Sequence, residues 1–148
     1  MTILVPTDFS PSAAQSLTYA INMAHLLKGQ ILLVHVIHLS PLTLGEVPPA
    51  VLDASIEERQ NDAEALMQDA LQRVHEAGLQ GDSTVVEGLP FQAIVDIASI
   101  KHVDLIVMST HGRTGLSHMF MGSVAEKVVR MAPCAVLVTR RSPALSET

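Results

Sequence analysis

A single cysteine, Cys134, stands among 148 residues. It excludes an internal disulfide and fits a reducing cytoplasm. Positive charge is also scarce: nine Lys and Arg against fifteen Asp and Glu give a net charge of −6. Such a balance argues against electrostatic binding to nucleic acid or to an anionic membrane. No apolar run approaches the roughly 20 residues of a membrane span. No basic segment leads into an apolar stretch at the N-terminus, so no secretory signal is expected. The chain shows no internal repeat and no low-complexity segment. It lacks the Gly-Lys-Ser/Thr of a Walker loop and the G-x-G-x-x-G of a dinucleotide site. No close carboxylate pair and no nucleophile–base–orienter set stands out. His111 and His118 share a loop but have no third ligand at suitable spacing, and His35 and His38 fall on opposite faces of a strand, so zinc is not expected.

What is present is largely apolar. The chain is 48% hydrophobic and 16% charged, which suits one domain built on a sheet covered on both faces. That domain is expected to occupy residues 1–141. The patternless tail, 142–148, is expected to fray. Thr2 to Val5 reads as a first buried strand. Ser10-Pro11 reads as an N-cap with proline at the first helical position, and Gly29 as the stop of that helix. Gln30 to Leu39 is a second strand. Ser40 to Ala50 reads as an extended loop, a candidate mobile flap. A long helix covers Val51 to Ala77, its apolar stripe poor before Glu57, with Gly78 beyond its end. Asp82 to Glu87 is a short, polar strand suited to a sheet edge. A helix follows Pro90, and Ala135 to Thr139 is the last strand. Strands alternating with helices imply βαβ units and a parallel sheet.

The chain is organised around residues 104–123, DLIVMSTHGRTGLSHMFMGS. Leu105 to Met108 is an apolar run that reads as a buried strand. A loop of small residues follows, and a helix begins at Ser123. Strand, glycine-punctuated loop and helix N-terminus make a recurrent anion site, because the first N–H groups of a helix lack intrahelical partners and the dipole adds positive charge there. Glycine lets the backbone approach a phosphate. A plain structural reading competes, since Ser123-x-x-Glu126 is also a capping box.

These residues resemble the nucleotide-binding signature of the universal stress proteins: Gly-x-x-Gly, nine residues, then Gly with Ser or Thr. Here Ser109-x-x-Gly112 and Gly122-Ser123 occupy that pattern, with Ser109 in place of the first glycine. Met108 to Leu116, Gly122 to Val128 and the Pro-Cys-Ala-Val-Leu-Val after them are similar to the family, and the resemblance runs from Val5 to Arg140. It implies a Rossmann-like three-layer α/β sandwich, of the kind shared with adenine nucleotide α hydrolases. Five parallel strands lie in the order 3-2-1-4-5, with the crevice between the carboxyl ends of strands 1 and 4.

The resemblance further implies an ATP-binding module of stress response or signalling, taking ATP, AMP or ADP with Mg2+ or Mn2+. Pro6, Thr7 and Asp8 would meet the nucleotide, Asp8 through a ribose hydroxyl or the divalent ion, although Asp8 equally suits a helix cap. Val36 would meet the adenine, although an ordinary sheet valine reads the same. Gly112, Gly122, Ser123 and the Val124 amide would cradle the phosphates, with Met108 and Ser109 meeting the nucleotide beside Pro6 to Asp8. A branched residue at 122 would then occupy phosphate space. Arg113 could reach a phosphate or face solvent. Little or no hydrolysis is expected, and no catalytic residue is assigned. The alternative is a slow ATPase or nucleotidyl-transfer enzyme on the same fold. A third reading, a dimerisation module without ligand, is disfavoured by the retained glycines. The uninterrupted apolar strand 135–139 implies a homodimer formed edge to edge.

Overall fold

A computed structural model describes residues 1–39, 45–111 and 121–141. The elements set out in full among the described residues are β1 (Thr2–Pro6), α1 (Pro11–Leu27), β2 (Gln30–His38), α2 (Pro49–Glu76), β3 (Gly81–Gly88), α3 (Pro90–Ile100), β4 (Leu105–Ser109), α4 (Ser123–Met131) and β5 (Ala135–Thr139). All strand pairs are parallel, in the order β3-β2-β1-β4-β5. Among the described residues no helix is long and apolar enough to cross a membrane.

The apolar runs are buried on both faces, as a parallel sheet requires. Side-chain alternation sends Ile3 and Val5 of β1 to one face and Leu4 to the other. Ile3 and Val5 join Leu33, Val107, and Leu17 and Ala20 of α1, with Met67 and Val74 of α2. Leu4 joins Val34, Ile106, and Ile94 and Ala98 of α3, with Val128 of α4. Two cores therefore sandwich one sheet, and β1 lies at its centre. No residue of β3 is fully buried, consistent with its edge position.

Several boundaries shift for identifiable reasons. α1 is capped as its sequence suggests: Ser10 Oγ accepts from the Ala13 amide, with proline at the start of the helix. Its end differs. The left-handed residue is Lys28, at φ 52°, rather than Gly29. Space at Gly29 is tight, a Cβ there lying 3.0 Å from the Met1 carbonyl oxygen. α2 begins at Pro49, two residues before the expected start, because Pro48 ends the extended approach and Pro49 is preset for a first turn. Thus Pro49 and Ala50 are not loop, Gly45 and Glu46 are helical, and residues 40–44 of the expected flap lie outside the described residues. α2 has no buried residue before Ala63, so its N-terminal half stands off the sheet core.

The feature that positions a site is a parting of strands. β1 and β4 pair only at Ile3 with Leu105 and Leu4 with Ile106. Each remains paired on its outer side further along: β1 reaches Pro6 opposite Val34, and β4 reaches Ser109 opposite Thr139. Beyond Leu4 and Ile106 a crevice opens at the carboxyl ends, where the strand order reverses.

Candidate functional site

The crevice widens into a cleft of about 610 Å³. The β1–α1 turn supplies Pro6, Thr7, Asp8 and Phe9 to it. β2 supplies Val34 to His38, β4 and the residue after it Met108 to Thr110, and the start of α4 Gly122 to Ala125. α2 contributes Arg59, Asp62, Ala63 and Leu66 from its overhanging half, and α3 adds Pro90 and Ile94. The lining mixes apolar side chains such as Val36, Ile37, Leu66 and Met108 with polar and charged ones such as Asp8, His35, Arg59, Asp62 and Ser123, which suits a ligand carrying both apolar and polar groups.

The β1–α1 turn is tightly specified. The Thr7 amide donates to the Val34 carbonyl at 2.8 Å, extending the β1–β2 ladder by one rung. Thr7 Oγ1 accepts from the Phe9 amide at 3.0 Å, and Asp8 Oδ1 accepts from the Ser10 amide at 2.9 Å. Asp8 therefore does cap the turn with one oxygen, and it also lines the cleft. Phe9 takes a left-handed φ of 64°, which is costly for an aromatic residue.

Across the crevice, Ser109 Oγ donates to the His111 carbonyl at 2.7 Å, so the hydroxyl that replaces the signature's first glycine closes a local turn. The Thr110 amide donates to the Thr139 carbonyl at 2.9 Å, and the Gly122 amide donates to the Thr110 carbonyl at 2.7 Å. These bonds tie the start of α4 to the ends of β4 and β5.

The capping-box reading is not what forms. Gly122, not Ser123, is the N-cap, and among the described residues no side chain caps α4. Glu126 instead pairs with Arg130 at 3.0 Å, one turn on. The Ser123, Val124 and Ala125 amides occupy the first turn, where α-helix geometry provides no intrahelical acceptor. This end of the cleft is a helix N-terminus with its dipole aimed at the cavity lining. A further correction concerns Gly122. A Cβ there would meet the Thr110 carbonyl oxygen at 2.7 Å. The space a side chain would need is taken by the protein's own backbone before any ligand is considered.

Of the residues singled out by sequence, Pro6, Thr7, Asp8, Val36, Met108, Ser109, Gly122, Ser123 and Val124 line this one cleft. Gly112 and Arg113 lie outside the described residues, as does His118. Sequence reasoning did not single out Phe9, Thr110, Arg59 or Asp62, and it placed His35 only as a strand histidine. Phe9 and Thr110 directly follow chosen residues, and that adjacency was the available signal. Arg59 and Asp62 reach the cleft only because α2 overhangs, which no local pattern reveals. Cys134 is half-buried. Burial, with the Asp104 carboxylate adding to it, pushes its thiol up from 9.0.

Comparison with known proteins gives one consistent answer. The sequence model of the Universal stress protein family matches residues 1–140. Universal stress protein MJ0577 of Methanocaldococcus jannaschii is 32% identical, the match covering 94% of each chain. Universal stress protein MJ0531 of the same organism is 32% identical over 94% of this chain and 81% of its own. The solved structure of MJ0577 superposes with a TM-score of 0.86 at 29% identity, covering 97% of both chains. UspA from Lactobacillus plantarum gives 0.84 at 28% identity, over 95% of this chain and 97% of its own.

Proposed function

Because this chain belongs to the universal stress protein family, we propose that it binds an adenine nucleotide, ATP in the first instance, and serves as a nucleotide-dependent module of stress response or signalling. The observation that carries this reading is the parting of β1 and β4 beyond Leu4 and Ile106, which opens a cleft directly onto the N-terminus of α4. In this reading the phosphates lie against the Gly122, Ser123 and Val124 backbone, with Ser109 opposite and Gly112 and Arg113 completing the loop. The adenine lies over Val36, and the ribose lies near Thr7 and Asp8. Among the described residues no three His, Cys, Asp or Glu side chains gather. A Mg2+ or Mn2+ ion would therefore arrive on the phosphates, with Asp8 as the protein carboxylate within the cleft. Such a module would work in the reducing cytoplasm as a homodimer joined through residues 135–139, with residues 1–141 as its single domain.

A slow ATPase or nucleotidyl-transfer enzyme is the alternative. Hydrolysis needs a positioned water and a group to stabilise developing charge, beyond a phosphate cradle. Asp8 with a divalent ion is the candidate for that role. Denaturing the purified protein and chromatographing the supernatant tests binding: released adenine nucleotide, and calorimetric binding of Mg-ATP by the emptied protein, are expected. Absence of both would overturn the proposal. Turnover near the ~10 s⁻¹ of dedicated enzymes, lost in Asp8→Ala, would replace it with the enzymatic alternative.

A further inference from the structure

We infer that His35 is a positioning residue for the nucleotide site: it pins the Thr7–Phe9 turn and so fixes Asp8 in the cleft. The inference rests on the nucleotide-binding reading above and names a residue acting through another. His35 sits on β2 beside the cleft, and its Nδ1 lies 2.8 Å from the Thr7 carbonyl oxygen. A carbonyl only accepts, so Nδ1 carries the proton and the ring donates. Thr7 is thus held by β2 through both of its backbone groups, its amide by the Val34 carbonyl and its carbonyl by the His35 ring.

The same ring packs against Phe9, with centroids 4.5 Å apart and planes at 34°. Phe9 is the residue in the left-handed conformation. An aromatic side chain holds that backbone only when its surroundings over-determine it. Here the surroundings are the Thr7 Oγ1 bond to its amide and the His35 ring beside its own. Asp8 lies between the two residues His35 grips, and its Oδ1 is already committed to the Ser10 amide. One oxygen of the carboxylate is therefore tied to the backbone of this turn. Loss of His35 frees the Thr7 carbonyl and strips the Phe9 ring of one of its packing partners, the core below it remaining, and lets the turn relax toward conformations that swing Asp8 away.

An ordinary packing histidine would affect stability whatever residue 8 is. A positioning histidine matters to the ligand only while Asp8 is there to be positioned. Calorimetric titration with Mg-ATP of the full chain, as wild type, Asp8→Ala, His35→Ala and the double variant, separates the two. His35→Ala is expected to weaken binding about tenfold in the wild-type background and less than about twofold with Asp8→Ala, a coupling of the size contacting residues show. Equal weakening in both backgrounds overturns the inference while leaving nucleotide binding intact. No binding by the wild type overturns both. Should His35→Ala fail to fold, His35→Asn and His35→Phe carry the test. Asn keeps an N–H donor near the Nδ1 position, and Phe keeps only the ring. The inference expects Asn to retain more affinity than Phe, and the reverse order overturns it. Phe9→Gly, which removes the left-handed strain, is expected to restore affinity to His35→Ala. No gain would show that the strained turn is not what His35 holds.

Discussion

At Gly122 the amide and the missing side chain answer to the same neighbour. The amide donates to the Thr110 carbonyl at 2.7 Å, and a Cβ would lie 2.7 Å from that oxygen. Gly122→Ala is therefore expected to destabilise the protein by about 1–3 kcal/mol, the usual cost of overpacking, read as a lowered urea midpoint. Stability equal to wild type would mean the α4 start moves freely. Gly122→Val should lose nucleotide binding and stability together, so loss of binding there would not isolate a phosphate contact. The glycine was legible from spacing, but its reason was not, because Thr110 is twelve residues away. Ser109 gave the opposite case: a small residue at a glycine position was readable, and its hydroxyl bond to the His111 carbonyl needed coordinates. Cys134 yields a pH expectation. Its thiol is raised by burial and then by Asp104, so the folded state holds the proton more tightly than the unfolded chain. Below 9.0 the group costs nothing; as pH climbs through and above 9.0 the unfolded chain ionises first and folded stability declines. Iodoacetamide labelling should show a midpoint above that of the urea-unfolded protein, and a midpoint at or below it would refute the shift.

Elements were readable where a local signal sufficed. Ser10-Pro11 marked the start of α1, and the apolar runs marked β1, β2 and β4, because caps and buried strands are written in adjacent residues. Element ends set by distant parts were not readable. Lys28 rather than Gly29 turns left-handed, since Met1 packs against Gly29. Ser123 misled because Gly122 could take the N-cap position itself. The tie between α1 and β5 belongs to this scale and left no trace in either segment alone. Ser16 Oγ is fully buried, donates to the Ser12 carbonyl at 3.1 Å, and lies 2.7 Å from Thr139 Oγ1. Thr139→Val removes one member of a buried pair and is expected to cost about 0.5–1.5 kcal/mol, the net worth of one hydrogen bond, since Ser16 Oγ keeps its bond to the Ser12 carbonyl. Ser16→Ala with Thr139→Val together should cost less than the sum of the two single changes. Equilibrium denaturation of the four proteins measures this, and strict additivity would show the two hydroxyls to be independent.

At the scale of the whole molecule, strand order decides which surfaces remain open. β5 pairs with β4 on one side and is last in the order, so its other side is a sheet edge among the described residues. The register identifies which groups face outward. The Thr139 carbonyl accepts from the Thr110 amide and therefore faces β4. Alternation along a strand turns Val136 and Val138 the other way, their amides and carbonyls toward the open edge. Val136, Leu137 and Val138 are only half-buried, and Val129 and Met131 of the neighbouring α4 are exposed. An apolar edge without lysine or interior proline invites pairing, and a two-fold axis lets each copy satisfy the other in antiparallel sense. A homodimer through residues 135–139 is therefore expected. Val138→Pro is the informative substitution, because the donor it deletes faces outward and the β4–β5 ladder keeps its own bonds. Light scattering coupled to size-exclusion chromatography should give the mass of two chains for wild type at micromolar concentration. For Val138→Pro it should give a shift toward one chain, with helical circular dichroism unchanged. A wild-type mass of a single chain would overturn the proposal, and would direct attention to residues 142–148 as the cover of the edge. A Val138→Pro protein that stayed fully dimeric would move the interface elsewhere.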